Sequence, residues 1–174
     1  MKVFLVGLNS SYMHSNPALY MLKKMSYPDD IVIQTGQWTI NSSEEDILDA
    51  IIAYQPQIIG FSAYIWNIEY LKKLAADLKR IMPSVLLLMG GPQATGENKN
   101  LLEACPAIDL LILGEGERLL PLLLTDLAQG HSQPTHPGLL WQGQEDLTFA
   151  PYEDFSDLPF LYDAADLQEL KGKI

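Results

Sequence analysis

The sequence predicts an α/β protein: a doubly wound, five-stranded parallel sheet with helices on both faces, followed by a short C-terminal extension. Three observations carry this. Short apolar runs alternate with longer stretches of helical apolar spacing, again and again from Lys2 to Gly130. The runs at residues 2–6, 57–61, 85–89 and 108–113 show little polar alternation, as strands buried on both faces do. Several of them end in glycine or small polar residues (Gly7, Ser62-Ala63, Gly90-Gly91, Gly114), at the end where a parallel sheet meets its ligands.

Taken in order, residues 2–6 form the first strand, and residues 8–16 a polar loop. Asn16-Pro17 starts a helix, with asparagine as cap and proline in the first turn. Ala18, Leu19, Leu22 and Met25 share one of its faces, and Lys23-Lys24 suit its C-terminus. Residues 31–38, β-branched and loosely alternating, form the second strand. Ser42 and Glu45 have capping-box spacing ahead of the stripe Ile47, Leu48, Ile51, Ile52, and Pro56 ends that helix. The third strand is followed by a helix over residues 66–82. Its stripe is Ile68, Leu71, Leu74 or Ala75, Leu78 and Ile81, with Glu69 and Lys73 paired four apart. The fourth strand runs into Gly90-Gly91-Pro92. Residues 93–100 are polar, with a turn at Thr95-Gly96, and residues 101–104 make a short helical piece.

After the fifth strand, Gly114-Glu115-Gly116-Glu117 is expected to stay loop-like. Pro121 is tolerated only in a first helical turn, so the last helix should begin close to Arg118. Leu119, Leu120, Leu123, Leu124 and Leu127 give its stripe and Gly130 its end. Right-handed crossovers make these units a flavodoxin-like or Rossmann-like sheet; order 2-1-3-4-5 is the economical one, with 3-2-1-4-5 as the other. The domain then spans residues 1–130. Residues 131–174 hold a proline-containing linker, a small hairpin (139–142 with 147–149 around Gly143) and a connector.

Eleven basic against twenty-two acidic residues give a net charge of −11, which argues against nucleic-acid and anionic-membrane partners. No apolar run approaches a membrane span or a signal-peptide core, so a cytoplasmic location is expected. The single cysteine, Cys105, cannot build a disulfide, zinc site or iron–sulfur cluster within this chain and reads as apolar filler. Trp38 and Trp66 read as core residues, with aromatic walls of a site as the other reading.

Four loops converge at the carboxyl ends of the strands: residues 9–14, 62–64, 90–92 and 114–117. Familiar ligands can be tested against them. Gly7-Leu8-Asn9 breaks the dinucleotide pattern at its second glycine, and no P-loop lysine is present. Ser62-Ala63 stands where a phosphoryl-receiver domain needs an aspartate. Ser10-Ser11 is a poor flavin-phosphate loop, which keeps a flavodoxin-like ligand-binding or sensing module, or a ligand-free interaction domain, as the alternative. Cobalamin fits better. Its long nucleotide tail needs a hydroxyl residue in the third loop and open backbone in the fourth, and Ser62-Ala63-Tyr64 and Gly90-Gly91 supply both.

On Leu8-Asn9-Ser10-Ser11-Tyr12-Met13-His14-Ser15, Gly60-Phe61-Ser62-Ala63-Tyr64-Ile65-Trp66-Asn67, Met89-Gly90-Gly91-Pro92 and Leu113-Gly114-Glu115-Gly116-Glu117, the chain resembles the N-terminal cobalamin-binding domain of cobalamin-dependent radical S-adenosylmethionine (SAM) enzymes. The resemblance continues through Pro137-Gly138-Leu139 and Asp157-Leu158-Pro159-Phe160. It implies cofactor contacts at Asn9, Ser10, Tyr12, His14, Ser62, Ala63, Tyr64, Gly90, Gly91, Pro92, Gly114, Glu115 and Gly116. It also implies a radical SAM domain with a 4Fe-4S cluster beyond the connector, and a full-length methyltransferase or Fe-S oxidoreductase of which this chain alone is not catalytic. Against the methionine synthase pattern D-x-H-x-x-G, His14 takes the place of the cobalt-ligating histidine, but Tyr12 replaces the aspartate and Pro17 the glycine. A ligating histidine wants a carboxylate behind it. Two states therefore stay open: His14 as lower axial cobalt ligand, or His14 as a residue lining a site that binds cobalamin without a histidine ligand.

Overall fold

The computed structural model describes residues 1–11 and 16–145, together with residues 156 and 158. Strands β1 (Lys2–Asn9), β2 (Val32–Thr39), β3 (Ile58–Ser62), β4 (Leu86–Gly90), β5 (Leu110–Ile112) and β6 (Leu139–Trp141) alternate with helices α1 (Pro17–Lys24), α2 (Glu44–Tyr54), α3 (Ile68–Ile81), α4 (Pro92–Ala104) and α5 (Gly116–Ala128). The six strands form one sheet in the order β2-β1-β3-β4-β5-β6. The first five are parallel, in the economical order expected from the sequence, and the direction of winding reverses between β1 and β3.

Successive side chains of the central strands go to opposite layers. Phe4, Val6, Ile59, Phe61, Leu87, Met89 and Leu111 pack with Ile47 and Ile51 of α2, Leu71, Leu74 and Leu78 of α3, and Leu101 and Leu102 of α4. Val3, Leu5, Ile58, Leu88, Leu110 and Ile112 pack with Leu19 of α1 and Leu119, Leu120, Leu123 and Leu124 of α5. Both faces of the sheet are thus covered, which is why its strands read as continuous apolar runs. Cys105 lies in the first layer as the free, buried thiol expected, and burial pushes its pKa up.

Four expectations are corrected. The sheet has a sixth strand: Leu139–Trp141 pairs antiparallel with β5 rather than forming a separate hairpin, with Leu110 opposite Trp141 and Ile112 opposite Leu139. Its three residues are all buried, and the Trp141 indole donates to Pro134 O at 2.9 Å, folding the linker back on the domain. The other half of the expected hairpin, at residues 147–149, and the connector over residues 152–174, apart from residues 156 and 158, lie outside the described residues. Second, α4 is helical from Pro92 onward instead of turning at Thr95-Gly96. Pro92 presets its first turn, and the Thr95 hydroxyl returns to Gly91 O at 3.3 Å. Its early buried residue, Ala94, is two turns from Leu101, too sparse a stripe to read from sequence.

Third, α5 begins at Gly116, with Pro121 inside it. Leu119 N–H already donates to Glu115 O, so a full turn precedes the proline, and the cost is one missing rung at Glu117 O. Fourth, the N-cap of α2 is Ser43, without a side-chain capping bond. Ser42 Oγ accepts instead from Thr39 N–H at 3.1 Å and ties down the end of β2.

β4 and β5 are held in register by Asp109, one residue before β5. Its Oδ2 accepts from Leu87 N–H and from Lys79 Nζ, each at 2.7 Å, while its own N–H donates to Leu87 O at 2.9 Å. Asp109→Ala leaves the buried Leu87 N–H without its acceptor and Lys79 with only Val85 O. Urea unfolding should show a loss of about 1–3 kcal/mol, the range for a removed partner of a buried donor. An unchanged midpoint would count against the clamp.

Candidate functional site

The register lays small residues side by side where the sheet meets solvent. Gly7 of β1 lies opposite Ser62 of β3, Ser62 opposite Gly90 of β4, and Gly90 opposite Ile112 of β5. One step down the same face, Gly60 sits between Leu5 and Leu88. A Cβ at Gly60 would come within 2.8 Å of Leu5 Cδ2 and 2.9 Å of Leu88 Cδ1. Along β3 the sheet therefore presents a hydroxyl and then bare backbone. Helices α1 and α5, in contact on this face, form the walls of the resulting trough.

The trough is a cavity of about 220 Å³. Leu5, Gly60 and Leu88 make its floor, Ala18, Leu19 and Leu22 one wall, and Gly116, Glu117 and Leu120 the other. Ser62, Tyr64, Gly90, Gly91, Pro92, Gly114 and Glu115 line it toward the strand ends. It has the size of a flat ring system and the lining of an apolar one. Its polar groups include the Ser62 hydroxyl and the carboxylates of Glu115 and Glu117, and among the described residues no basic side chain lines it. For an anionic group the nearby donors are the N–H groups in the first turn of α5. Behind α1, the Tyr27 hydroxyl donates to Leu22 O at 2.6 Å; burial, with a smaller contribution from Glu117, pushes its pKa well up, so it stays a neutral donor.

Each wall has a local cause. Gly91 takes φ +103°, and its missing Cβ would stand 2.7 Å from Ala63 O. Ala63 N–H donates to Gly90 O at 2.7 Å, and Gln93 N–H donates to Ala63 O at 3.2 Å, which locks the third loop onto the fourth. Gly114 also has positive φ, and its N–H reaches Thr95 Oγ1 at 3.3 Å. Asn67 is buried and holds the β3–α3 loop: its Nδ2 donates to Leu8 O and Ser62 O, and its Oδ1 accepts from Tyr64 N–H.

Of the residues singled out from sequence, Ser62, Tyr64, Gly90, Gly91, Pro92, Gly114, Glu115 and Gly116 come together around this cavity. Ala63 does not line it; its side chain is in the opposite core layer and only its backbone takes part. Asn9, at the end of β1, reaches Gln37 Oε1 at 3.3 Å, and Ser10 is exposed beside it, both off the cavity. Tyr12 and His14 lie outside the described residues. Trp38 packs beside Phe4 against the core, as expected. Trp66 does not: it is 46 % exposed, stacks on Tyr64 with ring centroids 4.5 Å apart, and donates to Leu8 O at 3.3 Å.

Sequence reasoning missed the floor and, Gly116 apart, the walls, with Gly60 above all. A lone glycine inside an otherwise apolar strand marks a close approach of some other group, and that was the available signal. It also missed Asn16, read as a helix cap. Asn16 is 4 % exposed and makes no side-chain capping bond; its Nδ2 donates to Ser62 Oγ at 3.0 Å.

Among the described residues no helix is long and apolar enough to cross a membrane, and no cluster of side chains is suited to hold a metal ion. In comparisons with known proteins, the chain is 28% identical over 143 residues to the cobalamin-dependent radical SAM methyltransferase TokK of Streptomyces tokunonensis, covering 79% of this chain and 21% of that one. It is 29% identical over 109 residues to the anaerobic magnesium-protoporphyrin IX monomethyl ester cyclase of Rubrivivax gelatinosus, covering 63% of this chain and 19% of the relative. The fold is similar to that of the cobalamin-dependent SAM radical enzyme OxsB with aqua-cobalamin bound: TM-score 0.80 at 17% identity, over 99% of this chain and 25% of OxsB. The chain thus spans about a fifth to a quarter of the length of these proteins. The B12 binding domain profile matches residues 5–124, the greater part of the chain, and on that match the chain belongs to the B12-binding domain family.

Proposed function

We propose that the trough between α1 and α5 receives the nucleotide tail of cobalamin, and that the corrin ring lies outside it across the carboxyl ends of β1, β3, β4 and β5. The observation that carries this is the row Gly7–Ser62–Gly90 with Gly60 beneath it, which opens the sheet under two helices. The fit is chemical as well as spatial. An apolar base is matched by the leucine walls, and its acceptor nitrogen by the Ser62 hydroxyl. A phosphodiester is matched by the first turn of α5. The cavity is far too small for the macrocycle, so the ring must rest on the rim loops, where Tyr64, Gly91 and Gly114 stand.

When bound, the cofactor supplies a cobalt centre able to carry a methyl group or take part in radical chemistry. This chain's own residues bind the tail, hold it away from water and set the height of the ring above the sheet. In the whole protein we place a radical SAM domain with a 4Fe-4S cluster after residue 174, with residues 131–174 leading toward it. The full-length activity is then methyl transfer or a related radical reaction, supported by the methyltransferase and cyclase relatives. The whole-protein partners are S-adenosylmethionine and that second domain. Cytoplasmic residence belongs to the same reading.

The test is a titration of the purified chain with hydroxocobalamin, followed by visible absorbance. A saturable shift at one equivalent is expected. A spectrum unchanged at large excess, or a preparation that carries flavin instead, would overturn the reading.

A further inference from the structure

Asn16 occupies the N-cap of α1 but does not act as a cap. Its side chain turns to β3 and donates to Ser62 Oγ at 3.0 Å, both residues being buried. Its backbone N–H donates to Gln37 Oε1 at 2.8 Å, which fixes the residue from the other side. The Oδ1 left behind is buried and has no hydrogen-bond partner among the described residues. Buried amide oxygens are rarely left so, because an unpaired one forfeits its hydration. The arrangement serves Ser62 rather than Asn16.

The consequence for Ser62 is directional. A serine hydroxyl has one proton to donate and accepts through its lone pairs. With Nδ2 of Asn16 donating to it, the lone pair on that side is engaged, and the described residues offer no acceptor for its proton. Ser62 lines the trough. The proton is free to be donated into the trough, whose floor at Leu5, Gly60 and Leu88 is apolar.

Resting on the cobalamin reading above, we propose that Asn16 is a positioning residue: it holds the Ser62 hydroxyl as a hydrogen-bond donor to the acceptor nitrogen of the tail's base. The site then prefers a base with one acceptor nitrogen and no further polar groups in the apolar depth, such as a benzimidazole. A purine would bury extra amine and ring nitrogens against leucine.

The test compares hydroxocobalamin with cobinamide, the corrinoid that lacks the nucleotide tail, by visible titration of wild type, Asn16→Asp, Asn16→Ala, Ser62→Ala and the Asn16→Ala/Ser62→Ala pair. Asn16→Asp places a carboxylate in a buried position, so its thermal midpoint should fall and is read beside the binding of both corrinoids. At pH 8 its carboxylate accepts the Ser62 proton and turns a lone pair toward the base. Both Asn16 variants should bind hydroxocobalamin about 10-fold more weakly, the scale of one buried hydrogen bond, with cobinamide binding unchanged. The double variant should lose no more than Ser62→Ala alone, because the two residues act as one unit.

Wild-type affinity for hydroxocobalamin in Asn16→Asp, additive losses in the double variant, or parallel losses for both corrinoids would each overturn the proposal. A wild-type chain that binds neither corrinoid overturns the cobalamin reading itself, and this one with it.

Discussion

Gly60→Val is expected to abolish tail binding while leaving the protein folded. The added side chain points to the face on which Leu5 and Leu88 flank the trough floor, and it fills the space between them. The atoms its Cβ meets, Leu5 Cδ2 and Leu88 Cδ1, are the far ends of flexible side chains and can rotate away. Valine also suits a strand. Overpacking should cost about 1–3 kcal/mol in urea unfolding. Hydroxocobalamin affinity should fall on the order of 100-fold or more, since a filled trough forfeits several kcal/mol of buried contact. Cobinamide, with no tail to insert, should bind the variant as it binds wild type. Equal affinity of wild type and Gly60→Val for hydroxocobalamin would mean that the tail does not enter here.

Gly91→Ala should do the reverse and damage the fold first. At φ +103° an L-residue is strained, and the new methyl group would stand 2.7 Å from Ala63 O and 3.2 Å from Ala63 N. Those are backbone atoms, and they are committed: Ala63 N–H to Gly90 O, and Ala63 O to Gln93 N–H. Neither can move without opening the junction of β3, β4 and α4. A loss of about 3 kcal/mol or more is expected, combining the strained conformation with the clash. Gly90→Ala is the control. Its Cβ would lie 3.6 Å from the nearest atoms of Ile112, an ordinary contact, so stability should hold while the new methyl intrudes on the trough. If both variants unfolded at the wild-type urea midpoint, the contact of Gly91 with Ala63 would not be what holds the fourth loop. The adjacent glycines then divide the work: Gly91 shapes the backbone, and Gly90 leaves room.

Much of the site was legible as loops. Ser62, Gly90-Gly91 and Gly114-Glu115-Gly116 each end a strand, and parallel strands bring their carboxyl ends to one edge whatever their order. Misreadings came where a residue's local preference was outweighed. Pro121 argued for a late start to α5, but a single missing rung is outweighed by the buried stripe Leu119, Leu120, Leu123 and Leu124. Trp66 read as core because tryptophan usually is; its place on a rim loop leaves it stacked on Tyr64, half in solvent. Leu139–Trp141 read as half of a local hairpin, yet its partner is β5, almost thirty residues back.

The sequence by itself determined the five β-then-α units, the parallel sheet with both faces covered, and the end of the sheet at which a ligand would sit. These follow from periodicity and from glycines at strand ends, properties local to each segment. Only the tertiary structure decided that Gly7, Ser62 and Gly90 form one row, that Gly60 deepens it under α1 and α5, and that Asn16 turns away from its helix to hold Ser62. Those facts depend on strand register and on which helix covers which face. Register is fixed by pairing between segments tens of residues apart, and no single stretch of chain contains it.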